Sequence, residues 1–243
     1  MLKIALPDTQ NADQRRQPFL RANPFTPGDG NMEQLLTDQQ QAELQAISTE
    51  VVLRARAPIY AAGSLAASIY IVQTGLVKVF RSLSSGRQQV LVFLFPGDVF
   101  GLAEDGRYVN SVETLLQTTI YRIPIDAVTE MFRRDGDLEL RFLYKLTHEL
   151  REAQRQEIIL ARRDAVGRVV MFLQMLQRRN ADNSDRIEIP MSRKDVAGYL
   201  GLSAEAVSRA ISRLSRSGIV SFPSLHVARI LNRARFEQIA LAA

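Results

Sequence analysis

The sequence of 243 residues contains no cysteine and no tryptophan, and it has only two histidines, His148 and His226. Without cysteine the chain forms no disulfide, thiolate nucleophile, zinc–thiolate site or cysteine-held iron–sulfur cluster. Two isolated histidines supply little material for a metal site. We therefore expect neither a metal nor another cofactor.

Long hydrophobic runs are also absent. The longest candidate, VLVFLF at residues 90–95, has the length of a β-strand, whereas a membrane span needs about 18 to 20 residues. The N-terminal stretch MLKIALPDTQNADQRRQPF turns polar after a short apolar start and does not resemble a signal peptide. We therefore expect a cytoplasmic protein that does not associate with membranes.

Charge is distributed unevenly along the chain, whose net charge is +5. Residues 162–243 carry 14 Lys and Arg against 7 Asp and Glu, whereas residues 1–161 carry 17 against 19. A basic C-terminal third on a slightly acidic body suggests a polyanionic partner that meets the C-terminal part. For the charge taken alone, a solvated basic surface is the first explanation, so a nucleic-acid partner has to be argued from the motifs.

The N-terminal half predicts an arm followed by a β domain. Residues 1–31 are polar and rich in proline and glycine, which is typical of a flexible arm. Between residues 51 and 124, short runs rich in β-branched and aromatic residues are separated by the turn sequences AAGS, QTG, SSGR and PGD. This pattern predicts a small antiparallel barrel or jelly roll, in a domain of residues 32–136 that begins with a short helix at 37–47.

A long uninterrupted helix is predicted at residues 137–161, within a segment that we bound at 137–162. Six of its positions recur at intervals of three and four residues, in the manner of a heptad seam: Leu143, Leu146, Leu150, Ala153, Glu157 and Leu160. A helix packed on its own domain would show similar spacing. The length and the charged flanks favour a two-stranded coiled coil, so we predict a homodimer joined along this seam.

The C-terminal domain, residues 163–243, contains SRKDVAGYLGLSAEAVSRAISRLSRSGIV at 192–220. The segment divides into a short helix capped by Ser192, a glycine-containing turn, and a second helix capped by Ser203 that ends before Gly218. The following GIVSFPSLHVARIL predicts a β-hairpin, so that the whole reads as a winged helix–turn–helix.

The second helix is predicted to be held by one face and to offer the other. Its apolar residues, such as Val207 and Leu214, fall within one arc, and the opposite arc is rich in serine and arginine. Small serines let a backbone approach a DNA groove, arginine pairs with guanine or phosphate, and glutamate accepts from cytosine. Contacts to the DNA backbone are expected from Ser192, Arg193, Lys194, Ser203, Ser212, Arg213 and Arg216.

The order of these parts resembles that of the CRP/FNR family of bacterial transcription regulators, from about residue 32 onward. The resemblance is carried by MSRKDVAGYLGLSAEAVSRAISRLSRSGIV and by LFPGDVFGL at residues 94–102. It implies an α+β fold, with an N-terminal antiparallel β-roll of the cyclic-nucleotide-binding type, a long dimerisation helix and a C-terminal winged helix–turn–helix. It also implies double-stranded DNA and RNA polymerase as partners.

The branch of the family follows from the pattern ExxSR, formed by Glu205, Ser208 and Arg209. This pattern is that of the FNR/FixK branch, whose half-site TTGAT is followed by an inverted ATCAA. The resemblance therefore implies that these three residues contact bases in a repeat resembling TTGAT-N4-ATCAA.

The sensor residues of the family are missing. Members that bind cAMP carry a glutamate after the β-roll glycine and an Arg-Ser pair for the phosphate, but here Leu102 follows Gly101 and Asn110 precedes Ser111. A cyclic phosphate would lose its charge-assisted partner, and Arg107 would replace it only in a rebuilt loop. We therefore expect a regulator without an obligatory ligand.

Two other classes of function stay open at this point. One is a ligand-binding β-barrel regulator, with an unknown effector or haem, whose helices mediate protein association. The other is an enzyme, which is disfavoured because the sequence contains no phosphate loop, nucleophile–base signature or paired acids in a plausible site.

Overall fold

The computed structural model describes residues 37–103, 105–162, 164–179 and 184–241, so the predicted arm at 1–31 lies outside the described residues. The helices and strands follow one another as α1 (Asp38–Ile47), β1 (Thr49–Leu53), β2 (Pro58–Tyr60), β3 (Ser68–Thr74), β4 (Val77–Ser82), β5 (Gln88–Leu94), β6 (Val99–Phe100), β7 (Ser111–Thr114), β8 (Thr118–Pro124), α2 (Ile125–Arg134), α3 (Gly136–Ala161), α4 (Ala165–Arg178), β9 (Arg186–Glu188), α5 (Arg193–Leu200), α6 (Ala204–Arg216), β10 (Val220–Ser224), β11 (Val227–Ile230) and α7 (Arg233–Leu241).

The first eight strands form two four-stranded antiparallel sheets, in the orders β1-β8-β3-β6 and β2-β7-β4-β5. Val72 and Ile120 of the first sheet pack against Val77 and Val112 of the second, so the roll closes around an apolar interior. The β3–β4 turn needs a glycine, because Gly75 has φ +90° and an added Cβ would lie 2.4 Å from Thr118 Oγ1. The predicted β-roll is therefore confirmed.

Three helices cover the outer face of the first sheet. Helix α1 begins with a capping box in which the Gln40 N–H donates to Thr37 Oγ1 and the Thr37 N–H donates to the Gln40 side chain. Helix α2 was not predicted from the sequence; it and the start of α3 bury Val128, Leu138 and Phe142 against the sheet. The predicted helix at 37–47 is confirmed, with Thr37 as its N-cap.

Helix α3 runs without interruption from Gly136 to Ala161, as the sequence predicts. Asp135 caps it by accepting from the N–H groups of Asp137 and Leu138, and the chain turns extended at Arg162. Among the described residues, no helix combines the length and the apolar character that a membrane crossing requires.

The C-terminal part folds as α4, α5, α6, a three-stranded sheet in the order β10-β11-β9, and α7. It shares one apolar core with the outer face of the β2-β7-β4-β5 sheet. The ring of Phe93 on β5 lies 6.2 Å from that of Phe172 on α4 and 5.2 Å from that of Tyr199 on α5. The helix–turn–helix is thus packed directly on the β-roll.

Candidate nucleic-acid interface

Two serine caps and one glycine define helices α5 and α6 and the tight turn between them. Ser192 caps α5 by accepting from the Asp195 N–H at 3.2 Å, and Ser203 caps α6 by accepting from the Ala206 N–H at 3.1 Å. Between them Gly201 ends α5 in the left-handed region, with φ +61°. The predicted helix–turn–helix and both of its caps are confirmed.

Helix α6 is held by its apolar arc, as predicted. Val207, Ala210 and Leu214 are buried and Ile211 is half-buried, so this arc faces the domain core. The opposite arc is exposed along the helix, and it carries Glu205, Ser208, Arg209, Ser212, Arg213, Ser215 and Arg216. Because six of these seven side chains end in a hydroxyl or a guanidinium group, the face offers hydrogen-bond donors along its length, and Glu205 adds a carboxylate.

The first two turns of α6 place an anionic acceptor beside a cationic donor. A hydrogen bond from its own backbone N–H, another from Ser203 and the charge of Arg209 lower the pKa of Glu205, which keeps this exposed carboxylate ionised at neutral pH. Ser208 Oγ donates to the Ala204 carbonyl at 2.9 Å, so its oxygen remains an acceptor. Acceptors and donors of this kind at the start of a recognition helix are suited to base edges.

The predicted wing is confirmed as the hairpin β10–β11, whose register pairs Val220 with Ile230. Arg193 lies over the ring of Phe222 on this hairpin, 5.7 Å from its centre, and burial lowers the pKa of its guanidinium group. At the hairpin, the His226 N–H donates to Ser224 Oγ at 3.2 Å. His226 is therefore part of the turn.

Two family models match this chain. The model for cyclic nucleotide-binding domains covers residues 50–135, and the model for Crp-like helix-turn-helix domains covers residues 167–239. The nitrogen fixation regulation protein FixK of Azorhizobium caulinodans is 32% identical over 194 residues, which are 78% of this chain and 77% of that protein. The chain belongs to the CRP/FNR family of transcription regulators.

Within the CRP/FNR family the chain is FixK-like. FixK of Rhizobium meliloti is 35% identical over 163 residues, which are 67% of this chain and 74% of that protein. The structure of FixK2 from Bradyrhizobium japonicum is similar with a TM-score of 0.75 and 33% identity, over 81% of this chain and 99% of that one. These relatives are regulators rather than enzymes, in agreement with the sequence-based prediction.

The seam predicted for the CRP/FNR dimerisation helix is largely open in the single chain. Leu143 and Leu150 are 52% and 59% exposed, and Ala153 and Glu157 are exposed as well. Leu146 and Leu160 are half-buried. Among the side chains that the structure describes, α3 buries Leu138, Phe142, Gln156 and Ile159 near its two ends, so the exposed apolar side chains of the seam form a stripe that the chain itself does not cover.

Aromatic side chains pack together inside the β-roll. The rings of Tyr60 and Tyr108 are stacked with centres 3.7 Å apart, and those of Tyr70 and Phe100 are 5.1 Å apart. Arg107, the substitute considered for a phosphate-binding arginine, donates instead to the Gly63 carbonyl at 2.7 Å. Nearby, Leu102 is exposed, and Ser111 Oγ accepts from the Ala62 N–H at 3.0 Å.

Sequence reasoning missed a group of charged side chains between the β-roll and α5. We call Arg56, Lys78, Glu113 and Asp195 the boundary ion cluster. Lys78 lies in the run VKVF, whose alternation suggests an ordinary outward-facing lysine, and Asp195 was interpreted only as a favourable charge at a helix start. No local signal reveals the cluster, because α5 covers Lys78 only after the two parts of the chain have packed together.

Proposed function

We propose that the protein is a sequence-specific DNA-binding transcription regulator that acts as a homodimer on an inverted repeat resembling TTGAT-N4-ATCAA. It contacts RNA polymerase from this site and needs no obligatory small-molecule ligand. The observation that carries the proposal is the exposed triplet Glu205, Ser208 and Arg209 in the first two turns of a helix that is anchored by its opposite face.

Base contacts and phosphate contacts are assigned to different residues. Glu205, Ser208 and Arg209 contact base edges, since the N-terminal residues of a recognition helix reach furthest into the major groove. Phosphates are held by cationic or capping residues around them, which fix the register of the protein on the duplex. This second group consists of Ser192, Arg193, Lys194, Ser203, Ser212, Arg213 and Arg216.

Dimerisation is supported by the stripe on α3. Burial of large exposed side chains such as Leu143 and Leu150 against a second copy is favourable at about 25 cal/mol per Å² of apolar surface. Two copies related by a twofold axis then place two α6 helices in successive major grooves, about 34 Å apart. The interface consists of the six seam residues Leu143, Leu146, Leu150, Ala153, Glu157 and Leu160.

Independence from a ligand is supported by the packing inside the β-roll. The rings of Tyr60, Tyr70 and Tyr108 pack together in the β-roll, and burial raises the pKa of Tyr60 and Tyr70, so both stay neutral and offer no charge to an effector. Arg107 is bonded to the Gly63 backbone and would have to break that bond to hold an anion.

Fluorescence anisotropy with ligand-free protein tests this function. We expect binding to a duplex with TTGAT-N4-ATCAA to be at least about 1000-fold tighter than to a duplex with both half-sites scrambled. An absorption spectrum of the same sample shows whether haem or another chromophore accompanies the protein. Weak, salt-sensitive binding to both duplexes would instead support a ligand-binding β-barrel whose helices associate with protein.

A further inference from the structure

The boundary ion cluster joins the β-roll to the first helix of the helix–turn–helix. Lys78 Nζ on β4 lies 2.8 Å from Asp195 Oδ1 on α5, and the two side chains are only 2% and 3% exposed. Arg56, in the β1–β2 turn, adds a contact of 3.0 Å to Asp195 Oδ2, and Glu113 on β7 lies 3.0 Å from Lys78. Ser192 donates to the same carboxylate.

Lys78 is the centre of the cluster. Its ammonium group donates to Asp195 Oδ1 and to the Gln88 side chain at 2.9 Å, and its charge is also paired with that of Glu113. Arg56 reaches Asp195 from a left-handed backbone, with φ +61°, a conformation that costs a non-glycine residue about 1 kcal/mol or more. It is the one non-glycine residue with positive φ in the described parts of the chain.

Two further polar contacts cross the same boundary. Gln156 of α3 donates to the Val90 carbonyl on β5 at 3.1 Å. Arg179, which follows α4, lies 3.1 Å from Asp98 in the β5–β6 turn and 4.4 Å from the centre of the Phe95 ring. Helix α3 and the helix–turn–helix therefore rest on the same β-roll surface.

Apolar contacts and buried charges contribute differently to such a boundary. Apolar burial is non-directional, so the shared core holds the two parts together but tolerates small rotations between them. A buried ion pair adds little net stability compared with well-packed apolar residues, but a buried charge without its partner is strongly destabilising, so the pair favours the one arrangement in which both charges are paired. Only the residues 201–203 separate α5 from α6, so the position of α5 sets that of the recognition helix.

We propose that the ion pair between Lys78 and Asp195, together with Arg56, positions α6 relative to the dimerisation helix and thereby sets the half-site spacing that the dimer accepts. This inference rests on the proposed function. Asp195 is a positioning residue, since it acts through α5 rather than by touching DNA. Spacing is the sensitive readout because each added base pair moves a half-site by about 3.4 Å and turns it by about 35°.

The test compares duplexes in which the spacer between the half-sites is N4 or is shortened or lengthened by one or two base pairs. Wild-type protein should prefer one spacing by about tenfold or more over its neighbours. Asp195→Asn and Lys78→Met should each reduce that preference about tenfold, while the affinity for a duplex with a single half-site stays within about twofold of wild type. The double variant should show the same spacing preference as either single variant, because both substitutions break the same ion pair.

Two further variants exclude trivial explanations. Glu130→Gln removes a carboxylate from an exposed ion pair with Arg134 on α2 and should leave the spacing preference unchanged. Arg56→Gly removes a partner of Asp195 at an exposed position while relieving the positive φ, so it should fold even if Asp195→Asn does not. Equal losses on single and paired half-sites, or an unchanged spacing preference in folded Asp195→Asn and Arg56→Gly protein, would overturn the proposal.

A distance measurement tests the same positioning without DNA, so its outcome is separate from that of the proposed function. Because the chain has no cysteine, Ser82→Cys and Ser215→Cys create two unique sites for spin labels on the β-roll and on α6. With labelled protein diluted into unlabelled protein, the distance distribution should be narrow, and it should broaden on Asp195→Asn. A distribution as narrow as that of the parent would refute the positioning role even where DNA binding is normal.

Discussion

Gly198 of α5 faces the carbonyl oxygen of Gln88 on β5 so closely that an added Cβ would lie 2.8 Å from it. The glycine thus permits the helix–turn–helix to rest on the β-roll at this distance. Gly198→Ala should destabilise the fold by about 1 to 3 kcal/mol, even though alanine favours a helix, because the two backbones have to separate.

Urea denaturation of purified protein measures this effect. The matched control is Gly136→Ala at the start of α3, where a new Cβ meets no atom within 4 Å. That variant should be neutral or more stable by up to about 1 kcal/mol. Equal effects of the two substitutions would show that the close approach does not matter for stability.

Arg209 and Arg213 should differ in what they contribute to DNA binding. Arg209→Ala should cost about 1 to 3 kcal/mol on the matched site and relax the choice of base, whereas Arg213→Ala should weaken all sequences alike and reduce the salt slope by about 1. Binding titrations on matched and scrambled duplexes at several salt concentrations distinguish them. If both variants lose affinity to the same extent on both duplexes, the division between base and phosphate contacts is wrong.

The open stripe on α3 predicts the oligomeric state. Leu150→Glu places a charge at the centre of the proposed seam in both copies, and should weaken the dimer by about 4 kcal/mol because two buried leucines are lost. Sedimentation velocity should then show a monomer at concentrations where the parent is dimeric. Val52→Glu on β1 is a matched control, since Val52 is 60% exposed and Leu150 is 59% exposed; it should leave the dimer intact.

Stability should depend on acid through Asp195. Burial alone would raise its pKa, but hydrogen bonds from Lys78, Ser192 and Arg56 outweigh burial and lower the pKa to about 2. Because an unfolded aspartate has a pKa of about 3.9, ionised Asp195 stabilises the fold by about 2 to 3 kcal/mol above pH 4, and this contribution disappears as the pH falls towards 2.

Urea unfolding of wild-type and Asp195→Asn protein between pH 7 and pH 2 checks this dependence. The gap in free energy of unfolding between the two should be constant near neutral pH and should close in acid. Asp126→Asn, which changes an exposed carboxylate on α2, should give a gap of at most about 0.5 kcal/mol. A gap that stays constant down to pH 2 would contradict the linkage.

Local rules predicted most of the DNA-binding motif. Ser192, Ser203 and Gly201 each act through neighbours within four residues, so their roles can be read from the sequence. The split of α6 into an apolar arc around Val207 and a polar arc around Ser208 follows from the helical period alone. The β-roll was predicted by similarly local rules, from runs of β-branched and aromatic residues between turn sequences.

The docking of the two parts on each other was not predictable in this way. Lys78 and Asp195 are 117 positions apart, and each looks ordinary in its own segment. Helices α2 and α7 were missed as well: α2 follows β8 directly after Pro124, where the segment had been interpreted as the end of the β region. Contacts at long sequence separation leave no period or motif behind.

Because the β-roll and the helix–turn–helix share one apolar core, the C-terminal domain cannot be separated from the β-roll without exposing part of that core. If residues 163–243 were expressed alone or fused to another sensor domain, Phe172 and Tyr199 would lose their contact with Phe93 and would be partly exposed to water. Such a fragment would be prone to aggregation. A chimaera between relatives would need to exchange the outward-facing surface of β4 and β5 together with the helices that it supports.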